Sequence, residues 1–270
     1  MSSARRPLKA LGQNFLVDNN IIDKIIHSAD INPQDSVLEI GPGRGALTEY
    51  LARKAGRLVL IEYDHALAAA LKERYADDPR VTVVDADILA VDLVAVLGDA
   101  GGWKVVANLP YNISTAVLFR LLEVRERLAR MILMLQKEVG DRLVAAPDCA
   151  DYGVTTVLLG LWFNMRREFI VSPGCFHPRP KVDSAVLSFV PLAGPRVPVG
   201  DESVFRRVVK GAFAMRRKTL INCLKAAELT TIDDLRGILA ECVIDGQRRG
   251  ETLSLDEFAA LSRCFSRVST

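Results

Sequence analysis

Six short, β-branched and almost continuously apolar runs recur between about residues 20 and 190: SVLEI (36–40), RLVLIE (57–62), VTVVDAD (81–87), WKVVAN (103–108), MILMLQ (131–136) and AVLSFV (185–190). Runs of this kind suit strands buried on both faces, and stretches of helical period lie between them. That alternation predicts an α/β fold with a parallel sheet covered by helices. DYGVTTVLLGLWFN (151–164) fits either period and is read as a helix. PLAGPRVPVGDES (191–203), with three prolines and two glycines, breaks any period and reads as a linker. The rest of the chain looks all-helical, so the expected organisation is an α/β domain over 1–195 and a small helical domain over 196–270.

The first strand runs into Gly41, Gly43 and Gly45 within LEIGPGRGALTEYL. Glycine permits positive φ and close approach of a ligand to the backbone, and the N–H groups at the following helix start favour electron-rich ligand atoms. The spacing satisfies both the dinucleotide fingerprint, with Ala in its last place, and the E-x-G-x-G-x-G pattern of S-adenosylmethionine enzymes. Alone, the loop does not choose between them. Glu62 ends the second strand, where a carboxylate accepts hydrogen bonds from a ribose diol. Asp87, at the end of the third, either accepts from a cofactor adenine amine or serves as a turn former. A Gly loop, a Glu and an Asp on three consecutive strands favour a ligand site, because open α/β sheets bind ligands at the carboxyl ends of their strands.

The fourth strand ends in NLPYNIST (108–115). Adenine's exocyclic amine is a poor nucleophile because its lone pair is delocalised into the ring. Two acceptors aimed at its hydrogens would hold it and favour a pyramidal nitrogen; the Asn108 side-chain carbonyl and the Leu109 backbone carbonyl are candidates. Pro110 fixes the turn and removes a competing donor, and Tyr111 offers a flat face for a base. No general base is needed, since the amine becomes strongly acidic once it carries the incoming methyl group, so orientation and electrostatics suffice.

Half of the 270 residues are hydrophobic, enough to bury a sizeable core. The five cysteines lie far apart with no C-x-x-C pair, which argues against a disulfide framework or a thiolate metal site; they are expected to be reduced and mostly buried. No apolar leader or membrane-length stretch stands out, so a cytoplasmic protein without a membrane partner is expected. His27, His65 and His177 are read as surface or structural residues.

A net charge of +2 says little by itself, but its placement is uneven. Arg5, Arg6 and Lys9 precede the first acid, and residues 201–225 carry Arg206, Arg207, Lys210, Arg216, Arg217, Lys218 and Lys225 against Asp201 and Glu202. In VFRRVVKGAF, Val204, Phe205, Val208, Val209, Ala212 and Phe213 form one helical stripe opposite Arg206, Arg207 and Lys210. Beside a base-modifying site, such a cluster reads as an RNA footprint of phosphate contacts.

GQNFL (12–16), EIGPGRGALT (39–48), NLPYNIST (108–115), MLQKEV (134–139), FHPRPKVDSAV (176–186) and RRKTL (216–220) together resemble the ribosomal RNA adenine dimethyltransferases, in particular their small-subunit, kasugamycin-sensitivity branch. The resemblance spans about residues 8–225. It implies a Rossmann-like S-adenosylmethionine-dependent methyltransferase sheet. The implied reaction is dimethylation of two adjacent adenosines near the 3′ end of small-subunit RNA, carried out by a monomer on a pre-30S particle. It also implies cofactor contacts at Asn14, Leu16, Gly41, Gly43, Glu62, Asp87 and Asn108, and places Phe176 on the target base opposite Tyr111. Three other readings are set against it. The macrolide-resistance methyltransferases share N-x-P-Y-N-I-S-T, but MLQKEV, KVDSAV and the longer C-terminal part speak against them. Intact Asn108 and Glu62 speak against a non-catalytic assembly factor. An NAD-dependent oxidoreductase would need a hydride-transfer acid or base after the fourth strand.

Overall fold

The computed structural model describes residues 14–99, 101–229 and 231–268. Arg5, Arg6, Lys9 and the first two residues of GQNFL lie outside this range. The chain divides into two compact units, residues up to 140 with 164–191, and 141–163 with 192–270.

In chain order the first unit begins β1 (Phe15–Leu16), α1 (Asn19–Ala29), β2 (Ser36–Ile40), α2 (Thr48–Lys54), β3 (Arg57–Glu62), α3 (His65–Arg74) and β4 (Val81–Asp85). It continues through α4 (Leu93–Leu97), β5 (Trp103–Asn108), α5 (Ser114–Glu123), β6 (Leu128–Gln136) and α6 (Lys137–Leu143). After α7 (Val154–Gly160) come β7 (Phe163–Val171), β8 (Phe176–His177) and β9 (Ser184–Pro191). Among the described residues the main sheet runs β4-β3-β2-β5-β6-β9-β7, and β1 pairs with β8 in a separate ribbon. β2 through β6 are parallel, as expected, but β9 runs antiparallel to β6, so the sheet is mixed.

Because the chain winds outward from β2 to β4 and then returns to place β5 on the other side of β2, the strand order reverses between β2 and β5. A reversal of this kind opens a crevice at the strand ends. The central strands owe their place to complete burial: Val37, Leu38, Leu60, Val105, Val106 and Leu133 are all 0% exposed, whereas β4, at the edge of the sheet, is only half-buried, against the expectation of burial on both faces. α1 shows how a helix covers them. Asp18 caps it by accepting from the Asn20 and Ile21 N–H groups, and Ile22, Ile25, Ile26 and Ala29 form its buried stripe.

Strand boundaries differ from expectation in three places: β4 stops at Asp85, two residues before Asp87, β6 begins at Leu128, and β9 is one residue longer at each end than 185–190. β7 has no counterpart among the expected strands. It stands last in the sheet order, and an edge strand tolerates the charges of NMRREF that mask its period.

The second unit holds α7, α8 (Glu202–Ala212), α9 (Leu220–Ala226), α10 (Ile232–Glu241) and α11 (Leu255–Val268). The helical reading of 151–164 matches α7 over Val154–Gly160, but Phe163 and Asn164 at its end belong to β7. Phe205, Val208, Val209 and Ala212 bury the expected stripe of α8. Residues 141–163 join this unit, whereas a boundary at 195/196 assigns them to the first. The Phe213 ring stacks on Phe258 and tilts against Tyr152, and Asp148 N–H donates to Glu251 O at 2.8 Å. All five cysteines are free, but only Cys223 and Cys264 are buried; Cys149 is exposed. His27, His65 and His177 are exposed. No helix among the described residues is long and apolar enough to cross a membrane.

Candidate active site

A cavity of about 490 Å³ lies at the carboxyl ends of β2, β3, β4 and β5. Its lining includes Asn14, Leu16, Gly41, Gly43, Glu62, Asp87, Asn108, Leu109, Pro110 and Tyr111. Elements separated by almost a hundred residues therefore meet in one place, flanking the crevice where the strand order reverses.

Gly41 and Gly43 adopt φ of 64° and 58°, the left-handed region that side chains resist. A β-carbon at Gly43 would stand 3.1 Å from the Phe15 ring, so the loop can approach β1 only without one. The N–H groups of the loop are engaged inside the protein: Gly41 donates to Ile61 O, Gly45 to Pro42 O, and Gly43 to Glu62 Oε2, each at 2.9 Å. α2 begins only at Thr48. The three glycine N–H groups are thus spent inside the protein, and the glycines contribute shape and close approach; Ala46 and Leu47, just before the helix, also line the cavity.

Glu62 is 6% exposed, and its carboxylate accepts the Gly43 N–H on Oε2 and the Asp64 N–H on Oε1, both at 2.9 Å. Burial holds its pKa above the usual carboxylate range, with those two N–H groups opposing the shift. Each oxygen keeps acceptor capacity for a diol. Asp87 is a turn former as well as a cavity residue, since its Oδ1 accepts the Leu89 N–H at 2.8 Å.

At the end of β5, Asn108 Nδ2 donates to Asn14 O at 3.0 Å. That bond turns the amide nitrogen toward the N-terminal segment and leaves the side-chain carbonyl as an acceptor for the cavity. Leu109 N–H is held by Met134 O at 3.0 Å, so its carbonyl is the polar group the turn offers. Tyr111 is fixed at both ends: its carbonyl accepts Ser114 Oγ at 3.2 Å, and its phenol lies 2.6 Å from Ser184 Oγ.

Phe176 is not part of this lining. It faces Leu16 across the β1–β8 ribbon, is 4% exposed and packs in the core with Ile22, Ile26 and Val171. An aromatic on a two-residue strand beside a core leucine is drawn inward by the area it buries. The ring here faces the core, away from the place on the target base that the resemblance implies for it.

Glu39 opens the glycine pattern, yet no role is legible for it in the sequence. Its carboxyl is 2% exposed, lines the cavity, and has an Oε2 without a hydrogen-bond partner among the described residues. Burial pushes its pKa up to about 8, with the nearby Glu62 charge adding to the shift. The Thr48 hydroxyl lies close enough to oppose the shift but is not aligned as a hydrogen bond.

The cavity fits S-adenosylmethionine on its own features. It falls within the volume range of about 300–1,000 Å³ typical of ligand sites. Its floor is a glycine turn whose positive φ values disfavour side chains, and the carboxylates of Glu62, at the end of β3, and Asp87, just past β4, stand ready to meet hydroxyl and amine donors.

In the second unit, Arg207, Lys210, Arg216, Arg217 and Lys218 are exposed. Arg206 instead pairs with Glu202 at 2.7 Å along α8, and Arg216 also donates to Ala150 O at 3.2 Å.

Comparison with known proteins bears on the whole chain. The sequence profile of the family described as ribosomal RNA adenine dimethylase matches residues 5–261. Ribosomal RNA small subunit methyltransferase A of Geobacter metallireducens is 59% identical over 261 residues, covering 96% of this chain and 95% of that protein. The crystal structure of a dimethyladenosine transferase from Plasmodium falciparum aligns with a TM-score of 0.82 at 25% identity, over 94% of this chain and 98% of that one. The 23S rRNA methyltransferase ErmE aligns with a TM-score of 0.69 at 25% identity, over 94% of this chain and all, 100%, of its own.

Proposed function

We propose a function that proceeds from one premise, that this chain belongs to the ribosomal RNA adenine dimethylase family: it dimethylates the exocyclic amines of two adjacent adenosines near the 3′ end of small-subunit ribosomal RNA. S-adenosylmethionine, when bound, would supply a methyl group activated on a sulfonium, and the thioether left when its bond to the methyl breaks would depart neutral. Everything else is the work of the chain's own residues.

The single observation that carries the reading is Asn108. Its Nδ2 is fixed on Asn14 O, so its carbonyl stands at the cavity beside the Leu109 carbonyl and Tyr111. Those two carbonyls accept the two hydrogens of the target amine and orient its lone pair. Tyr111 supports the base by stacking. Glu62 accepts from the cofactor ribose and Asp87 from its adenine amine, while Asn14 and Leu16 close the N-terminal wall. A target adenosine must leave its stack to reach this pocket, which RNA loops and helix ends make cheaper.

Arg206, Arg207, Lys210, Arg216, Arg217 and Lys218 supply phosphate contacts that hold the RNA without reading its sequence. The working form is a cytoplasmic monomer acting on a pre-30S particle. The test is to incubate the chain with small-subunit particles from cells lacking this activity and to digest their RNA to nucleosides. Dimethyladenosine at two adjacent positions is the expected product. Its absence, or its appearance only on large-subunit RNA, would refute the assignment.

A further inference from the structure

Tyr111 presents an aromatic face only as well as its ring is held in place. The side chain can swing about the Cα–Cβ bond between staggered rotamers, carrying the whole ring with it. What opposes that swing is the hydrogen bond at the ring's far end, where the phenol oxygen lies 2.6 Å from Ser184 Oγ. Ser184 is 0% exposed and is the first residue of β9, paired in register with Gln136 at the end of β6. Its hydroxyl is therefore anchored to two strands of the main sheet. At the other end, the Tyr111 carbonyl accepts from Ser114 Oγ, and Ser114 is 1% exposed at the start of α5.

We infer that Ser184 is a positioning residue for methyl transfer: by binding the Tyr111 phenol it fixes the far end of the ring against which the target adenine is stacked, and with it the direction of the ring axis. This inference rests on the proposed function. It also revises what the bare motif suggests, that Tyr111 needs only its ring, because it gives the hydroxyl a task. A stacked base inherits the tilt of the surface beneath it, and the amine it carries must meet the acceptors of Asn108 and Leu109 in a narrow range of angles. Burial keeps the Tyr111 pKa above the usual phenol value, with Ser184 opposing the shift, so at neutral pH the hydroxyl is available as a donor or acceptor.

The test compares the parent, Ser184→Ala, Tyr111→Phe and the double variant in single-turnover methylation of naive small-subunit RNA, presented in small-subunit particles, at saturating particle and cofactor. RNA and cofactor affinities are measured alongside. Each single variant is expected to slow methyl transfer about three- to tenfold, the scale of one hydrogen bond, with both affinities unchanged. The double variant should be no slower than the slower single, since both remove the same bond. Tyr111→Phe guards against a Ser184→Ala protein that fails to fold, because Tyr111 is only partly buried and keeps its ring. A parental rate in Tyr111→Phe, or losses that multiply in the double variant, would overturn the role of Ser184 while the parent's activity upholds the proposed function. A parent inactive on this RNA would overturn both.

Discussion

Gly43 and Glu62 meet across the mouth of the cavity through one hydrogen bond, the glycine N–H donating to the carboxylate Oε2 at 2.9 Å. The acid that ends β3 therefore also holds the turn that leaves β2. Removing it should cost the site twice, as a missing acceptor and as a loosened loop. Glu62→Ala is expected to weaken S-adenosylmethionine binding by about 1–3 kcal/mol, the range for hydrogen bonds to a charged group. Calorimetric titration of the variant measures this directly, and a parental affinity would take Glu62 out of the site.

Glu39 makes stability depend on pH. Its carboxyl titrates near 4.5 in an unfolded chain and at about 8 in the folded one. Between those values the native state binds the extra proton, so the stabilisation is complete below the lower value and is lost as pH rises through the upper one. The slope should approach about 1.4 kcal/mol per pH unit within that window. Glu39→Gln, which cannot ionise, should flatten the dependence. Urea midpoints measured from mildly acidic to mildly alkaline pH would reveal it; parallel curves for parent and variant would contradict the assignment.

Asn108→Ala removes the side-chain acceptor for the target amine and the tie to Asn14 together. Single-turnover methylation should fall by about 10²–10³, the usual loss for one preorganised polar partner of a transition state. RNA affinity should hold, because phosphate contacts dominate it, and cofactor affinity should fall modestly as the Asn14 wall loosens. A variant that dimethylates naive small-subunit RNA at the parental rate would end the proposed mechanism.

Replacing Arg216, Arg217 and Lys218 together by Ala takes three exposed cations from the segment between α8 and α9. RNA affinity should drop, and the log–log salt slope should flatten by about 0.7–0.9 for each phosphate no longer neutralised. Cofactor affinity should not change. An unaltered slope would move the RNA surface elsewhere.

The parts of this site legible in sequence are those whose chemistry is complete within a few residues. The glycine turn, Glu62 closing an apolar strand, and Asn-Leu-Pro-Tyr after another each announce themselves locally, and the sheet collects them at one edge. The hidden parts depend on partners far along the chain. Nothing near Ser184 marks it as the partner of Tyr111, 73 residues away, and nothing near Asn14 marks its bond to Asn108, 94 residues away. β1 and β8, two residues each, are too short to show a period. Phe176 carries the right residue type, but which way its ring faces is decided by packing against Leu16. Glu39 is hidden for the opposite reason, standing inside a recognisable pattern whose glycines already account for it.

The β1–β8 ribbon has a consequence for the order in which this protein can be made. Phe15 and Leu16 find their strand partners only in His177 and Phe176. A nascent chain that has emerged just past Asn108 already carries the glycine turn, both strand-end acids and the amine-orienting turn, yet its N-terminal wall has no ribbon to pair with. Closing so long a loop is entropically slow, and the pairing comes late. Tight cofactor capture should thus mark a chain grown past His177, and ribosome-stalled chains ending before residue 176 should hold the cofactor only weakly.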